Sequence, residues 1–196
     1  MMKTREKILE ASIELFTASG YEGTSLGAIA DKVGIKKPSL YAHFKNKEAI
    51  FLEAVEIGEA GYHDLLKRMI NEQKGTAAHI LRSLLEEAVA AFEEEHLLSQ
   101  FYYRFLFFPP SGLEEKISSI TTQGTRRLDA LLADIIERGQ EEGELTTELT
   151  VEQILRSYLC MLGGTDFDIR YYQHSSVDRK AYLEMIWSVF WRGVKA

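Results

Sequence analysis

Between Thr24 and Lys47 the chain reads TSLGAIADKVGIKKPSLYAHFKNK, and one glycine and one proline in it restrict the local fold more than any other feature. Thr24 is placed to cap a helix, because its hydroxyl can accept from a backbone N–H two or three residues on. Leu26, Ile29, Ala30 and Val33 then form one apolar stripe at helical spacing. Gly34 stops that helix, since glycine adopts the left-handed cap conformation without steric cost. Pro38 sets φ for the first turn of a second helix, where its missing N–H is not needed. Leu40 and Phe44 give that helix an inward face and leave Lys37, Ser39, Tyr41, Ala42 and His43 outward. Helix, glycine turn, helix is the form of a helix-turn-helix, whose second helix enters the major groove of duplex DNA.

The overall charge has the wrong sign for such a role: 23 Lys/Arg against 30 Asp/Glu, a formal net of −7. Its distribution removes the conflict. Residues 1–50 hold eight Lys/Arg and six Asp/Glu, and the remainder fifteen and twenty-four. A mildly basic head on an acidic body turns the head towards phosphates and keeps the body away from them. The 196 residues suffice for one large domain, or for a small head and a medium body.

Outside the motif the apolar periods are helical throughout. Residues 3–19 place Ile8, Leu9, Ser12, Leu15 and Phe16 on one face, ended by Gly20. A long helix is expected from Asn46 or Lys47 to about Ile70, with Asn46 as its cap and Gly58 and Gly61 as a bend. NEQKGT, 71–76, reads as a loop, followed by a helix to about Glu94. An aromatic stretch from Phe101 to Phe108 is broken by Pro109-Pro110. Residues 113–139 are helical, Gly143 marks a helix end, and Thr150-x-x-Gln153 is a capping box opening a helix to about Tyr172. Ser175-x-x-Asp178 resembles a second box before the last helix, 178–194. No strand alternation of useful length and no internal repeat occur, so the fold class is all-α.

Enzyme signatures are missing: no G-x-S-x-G, phosphate loop, H-E-x-x-H or paired cysteine motif. The histidines lack ligand-like spacing, and neither catalysis, metal nor cofactor is expected. Cys160, the single cysteine, sits in the apolar context LCML and reads as an inert buried thiol. One cysteine forms no internal disulfide, which fits a reducing, cytoplasmic setting. No apolar run approaches ~20 residues, so no membrane span is expected. Met1-Met2-Lys3 leads straight into a polar helix, so no signal peptide is expected either.

At Ile29-Ala30, Val33-Gly34, Leu40-Tyr41, His43-Phe44 and Lys47-Glu48, with ELFTASGYEGTS (14–25) before them, the chain resembles the N-terminal domain of the tetracycline-repressor (TetR) family. The resemblance covers roughly the first 50 residues. Two positions depart from it: Lys36 stands where Ser or Thr is usual, and Ala42 where a larger side chain is common. An Ala methyl can still meet a thymine methyl. The resemblance implies a DNA-contact set of Thr24, Ser25, Lys36, Lys37, Pro38, Ser39, Tyr41, His43 and Lys47. Most of these grip phosphates, with Lys37 and Ser39 the better placed for bases. Residues 1–46 are then a helix-turn-helix DNA-binding domain, and 47–196 a helical bundle for ligand binding and dimerisation.

Six aromatics in eight residues cannot all face one core. A ligand pocket is expected from Phe101, Phe105, Phe108, Tyr158 and Phe167 as walls, with His96, Tyr102 and Arg104 as polar points. The last helix is apolar on two sides, so one side is expected to meet a second subunit. Ile154, Tyr158, Met161 and Leu162 are expected beside Tyr182, Met185, Ile186 and Val189 in that dimer interface. A four-helix contact across a two-fold axis is what the resemblance implies. The function expected is a ligand-responsive homodimeric regulator, read as a repressor on a palindromic operator, with a small apolar or amphipathic effector. The alternative is a helical protein–protein interaction module that binds no DNA.

Overall fold

A computed structural model describes residues 3–93, 97–171 and 178–196. Its helices are α1 (Thr4–Gly23), α2 (Leu26–Val33), α3 (Lys37–Tyr41), α4 (Lys47–Glu72), α5 (Ala77–Glu93), α6 (Leu97–Phe107), α7 (Glu114–Glu141), α8 (Val151–Tyr171) and α9 (Arg179–Val194). The fold is all-α: among the described residues the only β pairing is an isolated bridge between Leu145 and Lys195. By contacts the chain falls into two compact units, Met1–Asp64 with Glu95–Thr125, and Leu65–Glu94 with Arg126–Ala196.

In the first unit, α1 buries Ile8, Leu9, Ala11, Ile13 and Phe16, which with Ile29, Ala30, Leu40, Phe44 and Ile50 form the core under the helix-turn-helix. Helices of eight and five residues are too short to be stable alone, so this burial is what holds α2 and α3 in place. Gly20 breaks α1 as expected, at φ 73° and ψ 176°, but one further turn follows to Gly23. The cap of α2 is not the one expected. Ser25 accepts from the Ala28 N–H at 3.1 Å, whereas Thr24 is buried and donates its hydroxyl to the carbonyls of Gly20 and Leu15. Thr24 thereby bonds carbonyls on the helix before the break and at the break itself. Gly34 is left-handed (φ 77°, ψ 32°) and turns the chain into α3, where Pro38 takes the second position.

Asn46 caps α4 as expected, accepting from the Ala49 N–H at 2.8 Å. Gly58 and Gly61, expected as a bend, have a packing reason instead. A Cβ at Gly58 would lie 2.7 Å from Phe101 Cδ1, and one at Gly61 would lie 2.6 Å from Leu98 Cδ1. The two glycines let α6 cross close over α4. An aromatic chain runs through this crossing, with ring centroids 5.0 Å apart for Phe16–Phe51, 6.2 Å for Phe51–Phe101 and 5.1 Å for Phe101–Phe105.

In the second unit, the Thr150–Gln153 capping box closes in both directions, at 2.8 and 3.2 Å. Gln140 donates to the carbonyls of Thr146 and Leu149, shaping the turn between α7 and α8. Tyr158 is fully buried and donates its hydroxyl to the Leu81 carbonyl at 2.8 Å, tying α8 to α5. Asp178 caps α9 by accepting from the Lys180 N–H. Ser175, its expected partner, lies outside the described residues. Cys160 is exposed, not buried as expected: α8 turns Ile154, Leu155, Tyr158 and Leu162 inward, and position 160 falls on another face.

Gly58→Ala gives a signed test of the crossing. On an open helix face the change gains up to ~1 kcal/mol in helix propensity. Against Phe101 it should instead cost about 1–3 kcal/mol by overpacking, read as a lower denaturant midpoint at unchanged slope.

Candidate nucleic-acid interface and ligand cleft

The outer side of α3 and its flanks is polar and open. Lys36, Lys37, Pro38, Ser39, Tyr41, Ala42 and His43 are all exposed, while Leu40 and Phe44 between them are buried. Lys36 precedes α3 without a side-chain cap, so its ammonium stays on the surface. Tyr41 is 53% exposed, so its ring is open on this face. Ser25 is exposed, and its O–H can still donate while its oxygen caps α2.

Two members of the expected DNA set have internal duties. Thr24 is buried with its hydroxyl bonded inside the unit, which removes it from the exposed face. Lys47 donates to the carbonyls of Tyr21 at 2.8 Å and Thr24 at 3.2 Å, and its ammonium lies 4.1 Å from the Tyr21 ring centroid. An ammonium has three donors, so one is left for a phosphate. Sequence reading misses these duties because they depend on where α1 breaks.

The aromatic stretch is divided between two environments. Phe101, Arg104, Phe105 and Phe108 line a cleft of about 260 Å³ with Phe16, Ser19, Gly20, Tyr21, Phe51 and Pro110. Arg104 reaches from α6 to donate to the Thr17 carbonyl of α1 at 3.0 Å. Burial, then the nearby carboxylates of Glu48 and Glu22, pushes the Tyr21 phenol up. Tyr102 instead stacks on Tyr62, centroids 4.1 Å apart and 10° from parallel, beside His63 and Tyr103. Burial above all holds the Tyr102 phenol well above its ordinary range. His63 lies 3.4 Å from Glu59 on the same helix. Tyr21, Phe51, Tyr62 and this Glu59–His63 pair were not singled out from sequence, although the i, i+4 spacing of Glu59 and His63 was readable. Tyr158 and Phe167 belong to the second unit; Tyr158 is a core residue there and Phe167 is half-exposed. His96 lies outside the described residues.

On the second unit, Met161, Tyr182, Met185, Ile186 and Val189 line an open groove with Cys160, Gly164, Asp168 and Phe190. Met185 and Val189 are 54% and 68% exposed. Ile154, Tyr158 and Leu162 were expected on the same face but are buried within the unit. They recur every four residues on one side of α8, where Tyr158 reaches the Leu81 carbonyl of α5, while the groove takes Cys160, Met161, Gly164 and Asp168 from α8. Tyr182 donates to Asp168, and burial followed by this bond pushes its phenol up to about 12. Among the described residues no metal-ligand cluster occurs, and no helix is long and apolar enough to cross a membrane.

Comparison with known proteins agrees with this geometry. The family profile described as "Bacterial regulatory proteins, tetR family" matches residues 8–54. The chain is 26% identical over 162 residues to the HTH-type transcriptional regulator AcrR of Shigella flexneri, covering 80% of this chain and 75% of that protein. It is 34% identical over 94 residues to the biofilm operon icaADBC HTH-type negative transcriptional regulator IcaR of Staphylococcus aureus strain Newman, spanning 47% of this chain and half of that one. In fold it is similar to the transcriptional regulator FadR of Bacillus subtilis in complex with stearoyl-CoA, with a TM-score of 0.71, 20% identity and coverage of 94% and 96% of the two chains. These likenesses do not favour an interaction module without DNA binding.

The two lysines should separate in stability measurements. Lys37→Ala, on the exposed face, should leave the denaturant midpoint of the free protein within about 0.5 kcal/mol of wild type. Lys47→Ala removes two charge-assisted bonds to backbone carbonyls and should lower stability by about 1–3 kcal/mol.

Proposed function

The chain belongs to the TetR family of bacterial transcriptional regulators, and from that premise we propose that it is a homodimeric, effector-controlled repressor acting on a palindromic operator. The observation that carries the reading is the exposed Lys37, Ser39, Tyr41 and His43 face of α3, held out by the buried Leu40 and Phe44. Residues 1–46, together with Lys47 at the start of α4, supply the DNA contacts, with Lys36, Lys37, Ser25 and Lys47 on phosphates and Lys37 and Ser39 near base edges. Residues 47–196 bind the effector and dimerise. Compaction into two units cuts across this boundary, because α6 packs with the head side of α4.

The repressor assignment is supported by the likeness to a negative transcriptional regulator, and effector control by the likeness to a regulator bound to stearoyl-CoA. An apolar or amphipathic small molecule suits the aromatic walls around α6. The exposed groove of Met161, Met185, Ile186 and Val189 is the face offered to the second copy.

Selection from random duplexes should return a symmetric motif, because two heads on a two-fold axis need mirrored half-sites about one helical turn apart, ~34–36 Å, or multiples of it. Affinity should fall steeply with salt as counterions are released. Lys37→Ala should cost about 1–3 kcal/mol and relax one base position if its contact is to guanine. An asymmetric motif, or an unchanged one in Lys37→Ala, would overturn these assignments. Val189→Glu places a carboxylate on a residue already exposed in one subunit, so it should give a folded monomer with weakened operator binding. A folded dimer in sedimentation would move the interface elsewhere.

A further inference from the structure

The cleft beside α1 holds three features that DNA contact does not need. Its inner walls are buried rings, Phe16, Phe51, Phe101 and Phe105. Its rim is open, with Phe108 75% exposed and Tyr21 half-buried. Its one cation is Arg104, whose Nη1 donates to the Thr17 carbonyl at 3.0 Å. Among the described residues no carboxylate pairs with Arg104. The guanidinium lies where a side chain at position 20 would be: a Cβ on Gly20 would come 3.0 Å from Nη2. The nearby acids do not compete for it. Glu48 is paired with Lys116, and Glu22, the carboxylate that lines the cleft, makes no ion pair with Arg104 among the described residues.

We propose that this cleft binds a small aryl carboxylate, and that the carboxylate takes Arg104 from the Thr17 carbonyl and so unties α6 from α1. This rests on the reading of the chain as an effector-controlled DNA binder, and it names the effector's class and point of action. The rings supply stacking walls for an aromatic body. A volume of about 260 Å³ suits one or two fused rings better than a long chain. A neutral carbonyl occupies one of five guanidinium donors, whereas a carboxylate accepts two in parallel through charge-assisted bonds about twice as strong. To present two parallel donors to the cleft the guanidinium turns and draws Nη1 off the Thr17 carbonyl, so the two contacts compete and the charge-assisted pair prevails. The tie it breaks ends on α1 just before Gly20, from which the chain passes directly into the helix-turn-helix. A ligand that prefers the untied state lowers operator affinity, and the operator must weaken the ligand by the same factor.

The test uses the full-length protein with 1-naphthoate, and with 1-naphthalenemethanol and 1-naphthylmethylamine as neutral and cationic counterparts. Calorimetry should show naphthoate binding roughly tenfold or more tighter than the alcohol. Arg104→Ala should erase that preference, and Phe108→Ala, which leaves the tie intact, should weaken both ligands several-fold. In anisotropy on the selected operator, naphthoate should release wild-type protein. Arg104→Ala should hold the operator at the affinity of naphthoate-saturated wild type and no longer respond. Equal binding of the three ligands, or a preference that survives Arg104→Ala, would overturn the site. Naphthoate binding at Arg104 with operator affinity unchanged would overturn the untying. A wild-type protein that selects no duplex while naphthoate still binds through Arg104 would overturn the DNA reading and leave the cleft standing.

Discussion

The break in α1 at Gly20 is where the first unit is tied together, because three side chains bond backbone carbonyls around it. Leu15 and Gly20 receive the Thr24 hydroxyl, Tyr21 and Thr24 receive the Lys47 ammonium, and Thr17 receives the Arg104 guanidinium. Such bonds contribute ~0.5–3 kcal/mol each, and they bring three side chains from three places in the sequence to one spot. One comes from the entry to α2, one from the start of α4 and one from α6. The end of a single helix thus becomes the junction of the DNA-contact face, the long α4 and the aromatic helix.

This junction explains why the head can be small. A five-residue α3 has almost no helical stability of its own, and its orientation depends on the burial of Leu40 and Phe44, on its packing with α2 and on the Gly34 turn. Arg5 adds a ring contact, its guanidinium carbon 4.8 Å from the Phe44 centroid, and pairs with Glu53 on α4. Any shift of α1 relative to α4 is therefore a shift of α3.

Legibility in the sequence followed the range of the interaction. The helix-turn-helix, the Asn46 cap, the Thr150–Gln153 box and the stop at Pro109-Pro110 are local, and residues within four positions decide them. The all-α class followed from apolar periods that are local too. What could not be read depends on partners distant in sequence. Thr24 has the chemistry of a cap but bonds the carbonyls of Leu15 and Gly20, and Ser25 caps instead. Gly58 reads as a weak point in a helix until Phe101, 43 positions on, is seen where its Cβ would be. Ile154, Tyr158 and Leu162 are apolar like Met161, and only the position of α5 decides which of them are buried. Of the candidate ligand set, Phe101, Arg104, Phe105 and Phe108 share one cleft because they fall three or four positions apart along α6 and the residue just after it. Tyr158 and Phe167 entered that set on residue type alone, and type carries no information about neighbours.

The shortness of α3 also bears on the exposed groove of α8 and α9. One head presents a handful of polar side chains on a helix of a turn and a half, and each phosphate or base contact is individually modest and screened by salt. Specific affinity at ordinary ionic strength then requires a second head held at fixed spacing, which turns the second binding event into an intramolecular one. A rigid spacing in turn needs an interface whose free energy does not depend on DNA. Under the proposed two-head reading, the apolar stripe with Met185 and Val189 open would meet that need better than more charge on the head. The acidic body fits the same reading: with attachment left to two small basic faces, negative charge elsewhere would keep a dimer off DNA except where both heads fit.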